Sequence, residues 1–266
     1  MTRSFVGVER WRWLALLVGV VLLVVAFVTS GSSTATVARV AGKPIGLTSY
    51  RHWVAVSAVS AHASDASLPP FVPDAPSYSR CIAFERAALV KAHKSVPSEA
   101  TLRTDCSSLR TSLAESAVEL LVSGQWILDQ GVREHVTPSA AQVRSALHSS
   151  FPKASGLVHF LSTSKLSRAD LEFELRVALT GNQLSARHSG ATPTVTAAQI
   201  SAYYTANRSQ IGNETLQQAT PAIRQALIAQ AQAPAVEAYL TGVQKYWLQR
   251  TTCARGYRIT NYCHVA

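Results

Sequence analysis

"SEATLRTDCSSLRTSLAESAVELLVSGQWILDQGVREH", residues 98–135, decides the fold. Leu109, Leu113, Leu120, Leu121, Ile127, Leu128 and Val132 fall on one stripe, the signature of a long amphipathic helix that begins at Ser98. Helical patterns flank it on both sides. "CIAFERAALVKAHK" (81–94) is helical and halts at Pro97, and upstream Thr48 or Ser49 caps "YRHWVAVSAVS" (50–60), which puts Trp53 and Val56 on one face.

Downstream, Thr137 as cap with Pro138 at the first helical position restarts a helix to Phe151. Ser167 with Asp170 and Thr196 with Gln199 are capping-box pairs opening two more. Thr220 with Pro221 opens the last helix, which runs to about Arg250 with a kink at Pro234. Strands have little room. "TVARVAGKPIGLT" (36–48) reads as a short strand pair or a strand and turn, so the expected class is mainly α, with at most short β segments near 36–46 and 255–262. A Pro-rich loop spans 61–78, with Leu68, Phe71 and Val72 among its prolines. A plain connector restrained at Cys81 is favoured there over a mobile lip.

The chain has 266 residues, 47% hydrophobic and 15% charged, a balance that suits one or two cored domains and excludes a disordered protein. A net charge of +10 would suit nucleic acid or an anionic membrane surface. Lys and Arg are scattered, however, and the stacking-aromatic pattern of RNA-binding sheets is absent, which argues against nucleic acid.

The first residues speak to compartment. A basic segment, 1–13, carries Arg3, Arg10 and Arg12 and precedes an uncharged run from Leu14 to Val28. The expectation is a transmembrane signal-anchor helix over 14–30, Trp11 and Trp13 at the interface, a stalk over 31–35, and everything beyond on the extracytoplasmic side. An uncleaved anchor is favoured over cleavage near Ala35 or Ala38. Cys81, Cys106, Cys253 and Cys263 all lie on that exported side, where disulfides persist. Four cysteines allow three pairings. The sequence-local choice joins Cys81 to Cys106 and Cys253 to Cys263, the latter stapling a tail over 251–266. No C-x-x-C spacing favours zinc instead.

The chemistry-bearing residues form no recognisable constellation. Eight histidines, at 52, 62, 93, 135, 148, 159, 188 and 264, include no H-E-x-x-H, and neither G-x-S-x-G nor a phosphate-binding glycine loop accompanies them. They read as scattered solvated side chains. The sequons at Asn207 and Asn213 read as chance matches. Trp53, Trp126, Tyr203, Tyr204 and Trp247 offer aromatic surface for gripping an extended chain, although aromatics at helical spacing are more often core.

Taken in order, "VARVAGKPIGLTSYRHWV", "GQWILDQGVREHVTPSAAQVRSAL", "FPKASGLVHFLSTSKLSRADLEFELRVAL" and "VTAAQISAYYTANRSQ" resemble the amino-terminal region of SurA-type chaperones and PrsA-type extracytoplasmic foldases. The closing "AIRQALIAQAQAPAVEAYLTGVQKYW" resembles the helix that returns to complete the same lobe. The resemblance implies a bacterial source and a multi-helix chaperone lobe over 36–250. Family members commonly insert a parvulin prolyl isomerase domain before that last helix. Here only residues 211–219 occupy the interval, against the roughly 50 residues that a small domain needs.

The function this implies is a membrane-anchored, extracytoplasmic chaperone-like protein that binds unfolded or translocating polypeptides without ATP or isomerase catalysis. It sits in the cell membrane as a single-pass protein with its carboxy-terminal region outside. Its partners would be polypeptide clients and, through the first helix, the membrane. No catalytic residue, cofactor or metal is implied, and Tyr203, Tyr204, Trp53 and Phe71 are the candidates for touching a client. The alternatives are an envelope scaffold that binds one folded partner, and residual prolyl isomerase activity.

Overall fold

The computed structural model describes residues 35–265. It begins with a hairpin: β1 (Thr36–Val40) and β2 (Lys43–Gly46) pair antiparallel with Val40 opposite Lys43. The turn holds Ala41 and Gly42 at φ 47° and 83°, the left-handed pair that a two-residue hairpin turn needs to match strand twist. At the far end of the chain β3 (Thr251–Cys253) pairs antiparallel with β1, and β4 (His264–Val265) runs parallel to β3. The sheet order is β2-β1-β3-β4. Val37, Ala38, Val40, Thr251 and Cys253 are buried, so this small sheet has a packed face.

Helices make up the rest. They are α1 (Leu47–Ser64), α2 (Ser79–Lys91), α3 (Glu99–Arg133), α4 (Ala140–Ser150), α5 (Ala154–Ser164), α6 (Arg168–His188), α7 (Ala197–Ala206), α8 (Arg208–Ile211) and α9 (Leu216–Leu248). Helix α3 is the axis. Its 35 residues span about 52 Å at 1.5 Å per residue, and Ser98 caps it by accepting from the Thr101 amide at 3.2 Å. The main core joins Trp53, Val54, Val56 and Ala58 of α1 to Leu113 and Ala117 of α3, Leu147 of α4, and Leu171, Phe173 and Val177 of α6.

Two glycines set how closely α6 approaches α3. A Cβ at Gly124 would lie 2.7 Å from the Phe173 ring, and one at Gly131 would lie 2.3 Å from Thr180 Cγ2. Both pairs are seven residues apart, two turns on each helix, so the absent side chains let two helices pack nearly backbone to side chain.

The described residues divide into two compact units. One takes the chain up to Thr180 together with Tyr246 onward; the other is Gly181–Lys245. In the second, Val195, Ile200, Ala219 and Ile223 form a small core flanked by Tyr203, Tyr204, Ile211, Leu227 and Ile228.

The expected fold class needs correcting. The class is mostly helical, but its β component is a four-stranded sheet that brings the two ends of the described chain together. Residues 255–262, expected to hold a β segment, are the loop between β3 and β4. No helix among the described residues is long and apolar enough to cross a membrane, and the run expected to do so, 14–30, lies outside them together with the segments 1–13 and 31–34. The expected lobe over 36–250 spans parts of both units. Within the disulfide-stapled tail, Thr251–Cys253 forms β3, which sits inside the sheet. Boundaries moved as well: α4 is capped by Ser139 with Gln142 and not by Thr137, α1 runs on to Ser64 and so shortens the Pro-rich loop, and α9 opens at Thr215 with Gln218, leaving Pro221 inside it. Val132, placed on the apolar stripe, is 62% exposed.

Candidate functional site

The second unit carries an open groove of about 370 Å³, lined by Pro193, Thr194, Val195, Gln199, Leu227, Gln230 and Ala231. One wall is the loop entering α7 with that helix's first turn. The other is the middle of α9. The end of the loop that enters α7 is held twice: Thr196 and Gln199 cap α7 reciprocally, at 2.8 and 3.3 Å, and the Arg224 guanidinium of α9 donates to the Val195 carbonyl at 3.1 Å. Val195 and Leu227 belong to the unit's core and present their outer surface to the groove.

The lining mixes two kinds of surface. Pro193, Val195, Leu227 and Ala231 are apolar, while Gln199 and Gln230 bring side-chain amides that both donate and accept. No charged residue lines it. Such a lining can take apolar side chains and offers carboxamides that both donate and accept hydrogen bonds.

The connector ahead of α9 is short and held. Gly212 to Thr215 are all that separate α8 from α9. The Tyr204 hydroxyl donates to the Glu214 carbonyl at 2.7 Å. The Arg208 guanidinium donates to the Gly212 and Glu214 carbonyls and lies 5.1 Å from the Tyr204 ring.

The four candidate client-binding residues therefore separate. Tyr203 and Tyr204 pack on the small core, half-buried, and do not line the groove. Trp53 is 1% exposed in the main core and cannot meet a client. Phe71 is half-buried against the Cys81 and Cys106 cluster, edge-on to Phe84, with the Arg80 guanidinium 3.7 Å from its ring centre. The structure does not bring these four together. The groove's own residues were missed because its walls lie some 30 positions apart and none carries a conspicuous motif; the capping box at Thr196 was the one local signal beside it.

Both disulfides are present. Cys81 pairs with Cys106 and Cys253 with Cys263. Glu85 lies within 4.8 Å of the first pair, but sulfurs bonded to each other offer no thiolate to a metal. Burial, with Asp105 nearby, pushes the Glu85 carboxyl upward. Three histidines read as solvated are engaged: His52 Nε2 meets buried Asp170 at 3.0 Å, His62 Nδ1 meets the Leu68 carbonyl at 2.6 Å, and the His188 ring stacks on Tyr239 at 3.7 Å. Asp170 also takes the Ser167 amide and returns its own amide to Ser167 Oγ. That occupies it as the cap of α6, and among the described residues no hydroxyl or thiol is bonded to His52 to serve as a nucleophile. Asp129 is buried with one oxygen on Lys43 Nζ at 2.5 Å and Gln125 at 2.9 Å, an ion pair that ties β2 to α3.

No family model, curated protein or solved structure matches this chain.

Proposed function

We propose that this protein is an extracytoplasmic chaperone-like protein that holds unfolded or translocating polypeptides without ATP or isomerase catalysis. The observation that carries the reading is the groove between the α7 entry loop and α9: open, uncharged and lined by both apolar side chains and two carboxamides. Two further features support it. The chain is cross-linked by two disulfides, which suits an oxidising compartment where nucleotide-driven chaperones have no fuel. The connector of Gly212 to Thr215 leaves no space for a catalytic insert.

Binding here is reversible burial. An apolar client side chain that settles into such a groove gains about 25 cal/mol per Å² removed from water, and immobilising a flexible chain costs a comparable amount. The result is weak, sequence-tolerant capture, which is what a holding function requires. Light scattering of a chemically unfolded client diluted into buffer tests it. The protein suppresses aggregation in a dose-dependent way, and Ala231→Trp, which fills the groove from an exposed helical position, abolishes suppression without changing the circular dichroism. Equal suppression by the two proteins would place client binding elsewhere. No suppression by either would favour a scaffold that binds a folded partner.

A further inference from the structure

Arg224 places a cation beside a groove whose lining carries no charge. It stands on α9 one turn ahead of Leu227, the first residue of that helix to line the groove, and residues 224, 227 and 231 share one face of the helix at three- and four-residue steps. From α9 its guanidinium crosses to the other wall and donates to the Val195 carbonyl at 3.1 Å. Val195 lines the groove and no residue of α9 before Leu227 does, so the groove stops where its two walls are bridged.

The bond to Val195 uses one donor of a guanidinium that carries several. Arg224 is exposed and pairs with no acid among the described residues. Acids are scarce around it: residues 181–213 and 215–236, which supply both walls, contain no Asp or Glu. The unit's two acids lie elsewhere, Glu214 in the connector ahead of α9 and Glu237 on α9 beyond the residues that line the groove. An anion at the Val195 end therefore meets a cation with free N–H groups and no carboxylate to repel it.

We propose, building on the holding function, that the groove takes the carboxy-terminal end of its polypeptide. The free carboxylate meets Arg224, and the last side chains, apolar ones, settle against Val195, Leu227 and Ala231. A guanidinium fork matches the two oxygens of a carboxylate, which an ammonium does not. A chain end fits better than an acidic side chain in mid-sequence, because the Arg224–Val195 bridge lies across the path of a backbone that continues, whereas a backbone that ends there needs no path. A charge-assisted hydrogen bond at an exposed site contributes about tenfold to affinity.

Fluorescence anisotropy on the full chain tests this with one apolar peptide, labelled at its amino end, in three forms: free carboxylate, carboxy-terminal amide, and the amide with an Asp in mid-sequence. The free acid binds about tenfold more tightly than the amide, and the mid-sequence Asp recovers little of that difference. Arg224→Gln brings the ratio of acid to amide close to one, Arg224→Lys keeps part of it, and unchanged circular dichroism shows both variants folded. Ala231→Trp weakens all three forms. Equal binding of acid and amide, both lost in Ala231→Trp, would overturn the carboxylate assignment and leave the holding function standing. A ratio that survives Arg224→Gln, or full recovery by the mid-sequence Asp, would overturn it too. Binding of no form would sink it together with the holding function.

Discussion

Asp74 shows how much one carboxylate can organise. It sits in the Pro-rich loop, and its oxygens accept from the Arg80 and Cys81 amides and the Ser79 hydroxyl, at 3.2, 3.2 and 3.1 Å, so it caps α2 from outside while Tyr78, at the cap position, contributes no side-chain bond. Partial burial pushes its carboxyl up, but these donors overcome that and hold it at about 2. A depressed folded-state value stabilises above the unfolded value near 3.9 and is lost as pH falls through about 2. Asp74→Asn therefore lowers the melting temperature at neutral pH, and the gap from the parent protein closes between pH 4 and pH 2. Tyr262 runs the other way. Burial, then its hydrogen bond to Glu119, raises its hydroxyl above the ordinary tyrosine range, so its contribution holds below pH 10 and fades only beyond it. Tyr262→Phe flattens the alkaline loss of stability in pH-jump unfolding. Neither role was legible in sequence, because Asp74 lies five residues outside its helix and Tyr262 lies 143 positions from Glu119.

Among the elements, α3 and α6 give the sharpest test of packing. Gly131→Ala drives a methyl into Thr180 Cγ2, and overpacking of this kind costs about 1–3 kcal/mol. Thr180→Ser removes that carbon and keeps the hydroxyl that donates to the Arg176 carbonyl at 2.7 Å, so the double variant recovers most of the loss in urea denaturation. If Gly131→Ala is neutral alone, the close approach is absent. The disulfides follow loop length. Closing separations of 25 and 10 residues contributes about 3.5 and 2.7 kcal/mol in the chain-entropy model, measurable as the stability lost by each paired Cys→Ala variant. Helix existence was readable at this scale because capping boxes such as Thr196 with Gln199 are local. The sheet was not, since β3 finds β1 from more than 200 positions away and three residues carry no period. Paired glycines seven apart were present in the sequence, but they speak only once a second helix is known to cross them.

At the scale of the molecule, the two ends of the described chain meet in a sheet locked to α3. The Trp126 indole donates to Thr251 Oγ1 at 2.7 Å, Thr251 donates to the Trp247 carbonyl at 2.8 Å, and the Trp247 indole donates to Gln130 at 3.0 Å. These polar atoms are satisfied inside a buried site, so the arrangement is rigid and costly to break. Thr251→Val leaves the Trp126 indole without its acceptor and costs about 1–3 kcal/mol, seen as a lower urea midpoint. The account of function depends on the second unit, whose groove faces no such constraint. With only Gly212 to Thr215 between α8 and α9, the protein leaves X-Pro exchange at its uncatalysed tens to hundreds of seconds in a peptide assay. The most direct test of the central claim is a photo-crosslinking amino acid placed at Gln230, exposed on the groove's edge, challenged with one client in its unfolded and its native form. The account predicts adducts with the unfolded form, competed by excess unlabelled unfolded chain and lost in Ala231→Trp. Adducts with the native form alone, or none while the protein still suppresses aggregation, would contradict it.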